Sequence, residues 1–290
     1  MQRIDFRNAN GFPPTICIQL TNWCNLSCSY CRSNSSPHNK QKLNFEALRN
    51  LLFKLSEIGK WRVSLTGGEP FFYTDLKKLL NLIIELGFPF SITTNGYSTK
   101  NKFDTIRKSD WEAGTLCVSI DGSQEVHNLL RGKNSYENAV EFIKFVRPKV
   151  NRLFVNTVLF RHPKHWASEL LVTLSQIGID NWTIISPVKK GRWFTNLDIG
   201  ESFLSQYQFI QNIAMGSLST SFLDFAKTDS MLTDIVFIDS DNTIRLPGYF
   251  NSSLKGIKPL SKVINMEDEN AFDQVVNSVH EFIKSENYML

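Results

Sequence analysis

The feature that most constrains the fold is a regular alternation of short apolar runs with amphipathic, helix-like segments along the first two-thirds of the chain. Alternation of this kind is typical of a parallel sheet whose strands are joined by right-handed helical crossovers. The predicted strands are residues 15–20, 61–65, 88–93, 115–120, 152–160 and 181–185. The predicted helices are residues 45–58, with Asn44 as the N-cap, and residues 75–86, 100–109, 136–146, 165–177 and 203–213. We therefore predict an α/β fold of six strand–helix units, a partial (β/α)6 barrel that stays open on one side.

The alternation of strand-like and helix-like segments ends near residue 215. Residues 235–238 and 243–246 flank a short polar turn and predict a β-hairpin. An amphipathic helix over residues 270–284 follows. The predicted organisation is a lead-in segment (1–14), the partial barrel (15–214) and a C-terminal extension of hairpin plus helix (215–290).

The composition is that of an ordinary globular protein, with 42% hydrophobic and 21% charged residues. The sequence has no apolar run near the roughly 18 residues that span a bilayer, and its start has no apolar signal core. We therefore expect a cytoplasmic protein without a membrane partner. A net charge of +4 without a basic, aromatic-interleaved run gives no reason to expect nucleic acid binding.

Three cysteines stand close together directly after the first predicted strand. Cys24, Cys28 and Cys31 have the spacing C-x3-C-x2-C. Soft thiolates clustered in this way favour a metal centre. A closed zinc site or a fully protein-ligated cubane needs four protein ligands, whereas three thiolates leave one iron of a four-iron cluster open to a small molecule. A zinc knuckle with His38 as fourth ligand is the alternative.

Three further segments accompany the cysteines, each after a predicted strand: Leu-Thr-Gly-Gly-Glu-Pro at 65–70, Thr-Thr-Asn-Gly at 93–96 and Val-Ser-Ile-Asp-Gly at 118–122. Together with the cysteine triplet, which has an aromatic residue before its last member, they resemble the radical S-adenosylmethionine (SAM) superfamily. The resemblance implies a partial, TIM-like barrel that binds a [4Fe-4S] cluster and SAM. The motifs lie where parallel α/β folds collect their chemistry, at the carboxyl ends of the strands.

The resemblance implies a role for each matching residue. The three cysteines hold the cluster, and SAM chelates the open iron through its amine and carboxylate. Glu69 helps to fix the SAM amine, Arg131 pairs with the carboxylate, and Tyr30 packs near adenine. The expected SAM-binding residues from the resemblance are Tyr30, Gly67, Gly68, Glu69, Asn95, Ser119, Asp121 and Arg131. Asn156 is added because a polar side chain inside an apolar strand is costly to bury unless it finds a partner, so it is expected to face the barrel interior near SAM.

The implied reaction begins when an external one-electron donor, of flavodoxin or ferredoxin type, reduces the cluster. SAM is then cleaved to a 5′-deoxyadenosyl radical, which removes hydrogen from a substrate. The Ser-Ile-Asp-Gly and Leu-Arg-Gly segments resemble the peptide-modifying SPASM/twitch group, so the expected substrate is a ribosomally made peptide that is epimerised or crosslinked. The C-terminal extension contains no cysteine, which indicates a cluster-free remnant of the tail found in that group.

Two alternatives remain at this point. One is a radical SAM enzyme that acts on a small molecule such as a nucleotide or sugar. The other is a non-catalytic iron–sulfur or zinc-binding module. The discriminating feature is whether SAM is bound and cleaved.

Two other groups of residues have a structural and a functional interpretation. Cys17 and Cys117 lie within predicted strands and are expected to be small buried apolar side chains. Cys117 precedes Ser119 by two residues, so the alternative is that it donates a hydrogen atom to a substrate radical. The stretch 189–193 is expected to be a solvated loop, with substrate contact as the alternative.

Overall fold

The computed structural model describes residues 14–160, 166–185, 187, 191–192, 208, 210, 223–226, 234–245, 263–266, 268 and 270–285. The chain forms two compact units. The first unit comprises residues 1–23, 40–91 and 229–290, and the second comprises residues 24–39 and 92–228. The predicted domain boundaries after residues 14 and 214 were drawn from the alternation of strands and helices, and they stay a prediction.

The first unit contains a sheet in which parallel strands occupy the centre. The strands are β1 (Thr15–Gln19), β2 (Arg62–Thr66), β8 (Asp234–Ile238), β9 (Thr243–Arg245) and β10 (Val263–Asn265). Strand β1 pairs in parallel with β2 on one side and with β8 on the other. Strand β9 pairs antiparallel with both β8 and β10.

Among its described residues, the first unit has three α-helices: α1 (Phe45–Ile58), α2 (Leu76–Glu85) and α7 (Ala271–Ser285). Helix α1 begins where the sequence predicts, because the side chain of Asn44 accepts hydrogen bonds from the backbone N–H groups of Glu46 and Ala47. Its buried face consists of residues at helical spacing, namely Leu48, Leu51, Leu52, Leu55, Ser56 and Ile58. That face packs the helix into the unit's core.

In the described part of the second unit, four parallel strands follow one another in the order β4-β5-β6-β7. They are β4 (Gly114–Ser119), β5 (Leu153–Val158), β6 (Asn181–Ile185) and β7 (Leu223–Ala226). The α-helices of this unit are α3 (Lys100–Phe103), α4 (Gln124–Arg131), α5 (Ser135–Val146) and α6 (Trp166–Ile177). The division between the units falls within β3 (Phe90–Thr94). The predicted α/β class with a largely parallel sheet is confirmed.

Two helical predictions need correction. The helix predicted over residues 100–109 is broken, since α3 ends at Phe103 and a separate 3-10 helix covers Lys108–Glu112. Helix α4 was not predicted at all. It begins after Ser123, whose side chain accepts a hydrogen bond from the N–H of Val126, and its eight residues are too few for a prediction from periodicity.

The predicted C-terminal hairpin is present as β8 and β9. Its first strand is also a member of the parallel sheet, beside β1, which the sequence rhythm did not indicate. Strands β7 and β10 were missed because runs of three or four residues give little periodicity. The helix predicted at 203–213 lies outside the described residues, apart from two isolated helical positions. No helix in the described part of the chain has the length and apolarity that crossing a membrane requires.

Candidate active site

The sulfur atoms of the cysteine loop, residues 24–36, lie among hydrogen-bond donors. The sulfur of Cys24 accepts from the backbone N–H of Leu26 at 3.5 Å and from the side-chain amide of Asn95 at 3.6 Å. The sulfur of Cys31 accepts from the N–H of Ser35 at 3.3 Å. Donors placed around cysteine sulfurs stabilise thiolates, and in iron–sulfur proteins such bonds set the reduction potential.

The third sulfur differs electrostatically. Burial raises the pKa of the Cys28 thiol to about 11, although the nearby charge of Arg131 acts in the opposite direction. Metal binding at this position would therefore release a proton, because the metal ligand is the thiolate.

Among the described residues, no group of three or more His, Cys, Asp or Glu side chains is placed to hold one metal ion.

The cysteine loop is tied to three other parts of the second unit. Ser29 donates to the carbonyl of Leu130 at the end of α4, through its N–H at 2.9 Å and its hydroxyl at 3.2 Å. Asn25 donates from its side-chain amide to the carbonyl of Tyr97, which follows β3, at 2.6 Å. Arg192, which follows β6, donates to the carbonyls of Cys28 at 2.8 Å and Ser35 at 2.9 Å. These anchors fix the loop although it contains no regular secondary structure.

A buried ion pair lies beside the loop. The carboxylate of Asp121 is fully buried and accepts two hydrogen bonds from the guanidinium of Arg131, whose side chain is only 10% exposed. The Tyr30 hydroxyl and the N–H of Val158 also donate to this carboxylate. Asp121 therefore links the cysteine loop, α4 and β5.

Burial and the charge of Arg131 determine the protonation states of Asp121 and Tyr30. Burial alone would raise the pKa of Asp121, but the charge and hydrogen bonds of Arg131 outweigh burial and hold that pKa below its ordinary value. Burial raises the pKa of the Tyr30 phenol well above its ordinary value. Tyr30 therefore stays a neutral donor to Asp121 and also contacts the ring of Phe160, with centroids 4.8 Å apart.

A row of polar side chains crosses the sheet of the second unit. Ser119 on β4 is in register with Asn156 on β5, which is in register with Thr183 on β6. Neighbours in register on parallel strands share a face. The α6 residue Trp166 packs on Trp182, which belongs to the opposite face. The polar row therefore points away from α6, and by alternation Cys117 lies on the same face as Ser119.

The Gly-Gly-Glu turn belongs to the first unit. Its close backbone approach is to the chain itself, because a Cβ on Gly68 would lie 1.9 Å from the carbonyl oxygen of Trp23. A Cβ on Gly67 would lie 2.6 Å from the carbonyl oxygen of Thr21, and Gly67 has a φ of +138°. Glu69 is fully buried, and its N–H donates to Trp23 at 2.9 Å. The turn thus lies against the segment that leads directly into Cys24.

Residues 18–171, more than half of the chain, match the Radical SAM superfamily. The chain belongs to the radical SAM superfamily. Members of this superfamily are enzymes that use a [4Fe-4S] cluster and SAM. The match covers every motif from the first cysteine through the Asp121 and Arg131 pair.

Relatives named for different functions are similar to this chain. The AdoMet-dependent heme synthase of Oleidesulfovibrio alaskensis is 26% identical over 74% of this chain and 54% of its own length. The sporulation killing factor maturation protein SkfB of Bacillus subtilis is 30% identical over 47% of this chain and 33% of its own length. The chain therefore spans about half of the heme synthase and a third of SkfB.

A solved structure shows the same fold. SuiB of Streptococcus suis, crystallised with S-adenosylmethionine, superposes with a TM-score of 0.69 at 18% identity, covering 94% of this chain and 68% of SuiB. SuiB has also been crystallised with its precursor peptide SuiA, and that structure gives a TM-score of 0.70.

The residues of the cysteine loop fit the family's cluster. Three cysteines, N–H donors aimed at two of their sulfurs, and one buried hydroxyl meet the needs of a thiolate-ligated cluster. The hydroxyl is that of Ser35, which is 1% exposed and finds no hydrogen-bond partner in the described part of the chain. Its own N–H donates to Cys31, so an acceptor on a bound cluster would satisfy an otherwise costly buried group.

The structure brings most of the predicted site residues of the second unit into one network. Asn95 reaches the sulfur of Cys24, while Tyr30, Asp121 and Arg131 bond to one another. Ser119 and Asn156 form the separate polar row, which Thr183 extends. Gly67, Gly68 and Glu69 lie in the first unit.

Sequence reasoning missed several supporting residues. Asn25, Ser29, Ser35 and Thr183 have no motif of their own and are identified only by their contacts. Arg192 was expected in a solvated loop, but its guanidinium bonds to the cysteine loop. Lys189, Lys190 and Trp193 lie outside the described residues.

His127 makes the stability of this network depend on pH. The imidazole is fully buried and accepts a hydrogen bond from the N–H of Asp121 through Nδ1 at 3.1 Å. Burial, followed by the charge of Arg131, lowers the His127 pKa to about 4, against the opposing effects of Asp121 and Glu137. Below about pH 6.5 the unfolded chain therefore binds a proton that the folded chain does not, and stability falls as the pH drops toward 4.

We expect wild-type apoprotein to lose about 2 kcal/mol of unfolding free energy between about pH 7 and about pH 5 through His127 alone. The measurement is urea unfolding at both pH values for the wild type and for His127→Asn, in which an amide oxygen can still accept from Asp121. The variant should show a smaller pH dependence by that amount. Equal pH dependence in the two proteins would contradict the assignment.

Proposed function

We propose that this chain binds a [4Fe-4S] cluster through Cys24, Cys28 and Cys31, binds SAM at the open iron, and removes hydrogen from a substrate. The observation that carries the proposal is the cysteine loop, in which N–H donors meet the sulfurs of Cys24 and Cys31 while three other parts of the unit hold the loop in place. The proposal includes an external one-electron donor, of flavodoxin or ferredoxin type, which reduces the cluster. It also includes a reducing, cytoplasmic setting, because the cysteines must be reduced to bind iron.

When bound and reduced, the cluster and SAM together supply a 5′-deoxyadenosyl radical. The chain's own residues ligate, orient and shield. The side-chain amide of Asn95 and the loop N–H groups stabilise the negative charge of the ligating sulfurs. The polar row of Ser119, Asn156 and Thr183 offers hydroxyl and amide groups to the SAM ribose or the substrate.

The direct SAM contacts of Tyr30, Asp121 and Arg131 stay predictions of the resemblance. In the structure these three side chains bond to one another. We propose that their shared role is to fix the cysteine loop against α4. Cys117 shares a face with Ser119 and stays a candidate hydrogen donor to a substrate radical.

A ribosomally made peptide is the substrate that we propose, with epimerisation or crosslinking as the outcome. Two likenesses support it: SkfB is named as a maturation protein, and SuiB has been crystallised with a precursor peptide. A small-molecule substrate is the second candidate, because the AdoMet-dependent heme synthase matches the larger share of this chain.

Anaerobic reconstitution tests the proposed function. The protein is expected to bind about four irons per chain and, with a strong reductant, to release 5′-deoxyadenosine from SAM. Omission of the reductant serves as the control and should abolish the release. Tight binding of one zinc ion, with SAM left intact, would contradict the proposal and favour a binding module.

The substrate is tested separately with peptides encoded beside the gene. In deuterated water, an epimerised product is expected to gain deuterium at one α-carbon, and a crosslinked product to lose a pair of hydrogens, as read by mass spectrometry. The heme-precursor and nucleotide classes are offered in parallel. If a heme precursor or a nucleotide is consumed and none of the peptides is, the small-molecule substrate replaces the peptide as the favoured candidate.

A further inference from the structure

A two-residue segment after β6 lies directly against the cysteine loop. Gly191 and Arg192 are the residues of this segment, which we name the clamp. The N–H of Arg192 donates to the carbonyl of Cys31 at 2.8 Å. Its guanidinium donates through Nη1 to the carbonyl of Cys28 and through Nη2 to the carbonyl of Ser35.

The clamp binds the backbone of two of the proposed cluster ligands. The carbonyls of Cys28 and Cys31 both accept from Arg192, which fixes the separation of the peptide groups that carry these cysteines. The third carbonyl belongs to Ser35, whose N–H donates to the sulfur of Cys31. One side chain therefore fixes both a ligand backbone and the donor to a ligand sulfur.

The absence of a side chain at Gly191 allows the backbone of the clamp to lie close to the backbone of the cysteine loop. Its φ is +68°, and a Cβ there would lie 2.2 Å from the carbonyl oxygen of Arg32 and 2.4 Å from that of Cys31. Both neighbours are backbone atoms, so a side chain at 191 would force the two segments apart. Glycine at this position lets Arg192 reach the loop.

The clamp also brings positive charge to the loop. Arg131 is paired with Asp121, so that pair contributes little net charge. Arg192 makes no ion pair with a carboxylate in the described part of the chain, and its donors point at neutral carbonyls. A cation beside a cluster favours the state with one more electron, because that state is more negative.

We propose that Arg192, placed by Gly191, is a positioning residue that holds the cysteine loop in its cluster-binding geometry and whose charge favours the reduced cluster. This inference rests on the proposed function for its cluster-dependent part. The planar fork of arginine suits the task because it reaches two carbonyls at once, whereas a lysine ammonium is a single point of charge.

The first experiment uses the apoprotein, so that it does not depend on the cluster. Hydrogen–deuterium exchange of the loop amides, residues 24–36, is compared between wild type, Arg192→Gln and Arg192→Lys. Arg147→Gln is the matched control, since Arg147 pairs with Asp180 just before the opposite end of β6. Both Arg192 variants are expected to exchange faster than wild type in the loop alone. Unchanged loop exchange in both would overturn the positioning role.

The second experiment uses the reconstituted protein. Arg192→Gln is expected to lose iron to an excess of chelator about 10–100-fold faster than wild type, the usual cost of removing a group that orients metal ligands. Its cluster potential is expected to be more negative, whereas Arg192→Lys keeps a potential near that of wild type. Iron release at the wild-type rate in Arg192→Gln, or equal potentials in all variants, would overturn the proposal. A wild-type protein that binds no cluster would instead contradict the proposed function, while the exchange experiment would still decide the positioning role.

Discussion

Cys28→Ala protein is expected to bind no stable four-iron cluster and to release no 5′-deoxyadenosine after anaerobic reconstitution. A cubane with three protein ligands has no spare thiolate, so the loss of one leaves two irons open. The effect should exceed the roughly 10–100-fold loss that follows removal of an orienting partner, because a ligand itself is removed. Iron content and SAM cleavage, measured on the same samples, check the prediction.

Cys17→Ala is the matched control for this experiment. Cys17 is also a buried cysteine, but it lies within β1 in the first unit and in register with Ser64. Its replacement removes a small apolar side chain and should leave iron content unchanged. Wild-type iron content in Cys28→Ala would show that the loop does not ligate the cluster through this residue.

Asp121→Ala is expected to lower the free energy of unfolding by about 3–5 kcal/mol. Its partner Arg131 is 10% exposed and would be left as a buried charge without its carboxylate. The hydrogen bonds from Tyr30 and from the N–H of Val158 would be lost at the same time. Urea unfolding of the apoprotein at neutral pH measures the change.

Two further variants separate this buried pair from an ordinary surface pair. Asp104→Ala breaks the exposed contact with Lys149 and should cost less than about 1 kcal/mol. The double variant Asp121→Ala, Arg131→Met should recover part of the loss, because the unpaired charge is then gone. A cost for Asp121→Ala no larger than that for Asp104→Ala would show that Arg131 finds solvent or another partner.

Much of the fold was predictable because its signals are local. The strand and helix patterns of residues 15–60 need only periodicity and one capping residue, and α1 begins after Asn44 as predicted. The prediction missed elements that are short. Helix α4 has eight residues and β7 has four, which is too few for a prediction from periodicity.

The candidate site divides in the same way. The spacing of Cys24, Cys28 and Cys31 was sufficient to predict a cluster loop, since ligands close in sequence can meet without distant help. Its supports come from far along the chain: Asn95 is 71 residues from Cys24, and Arg192 is 164 residues from Cys28. No local pattern predicts such contacts.

The sequence by itself was enough to predict the kind of chemistry, because three cysteines within eight residues, together with the glycine-rich and acidic strand ends, are local signals of an open iron–sulfur site. Only the tertiary structure decided how the loop is held: Asp121 bonds to Arg131 and Tyr30, and Arg192 bonds to the loop's carbonyls. The physical reason is range. Ligand identity and helix period are encoded over a few residues, whereas the partner of a buried charge or carbonyl is set by which strands become neighbours.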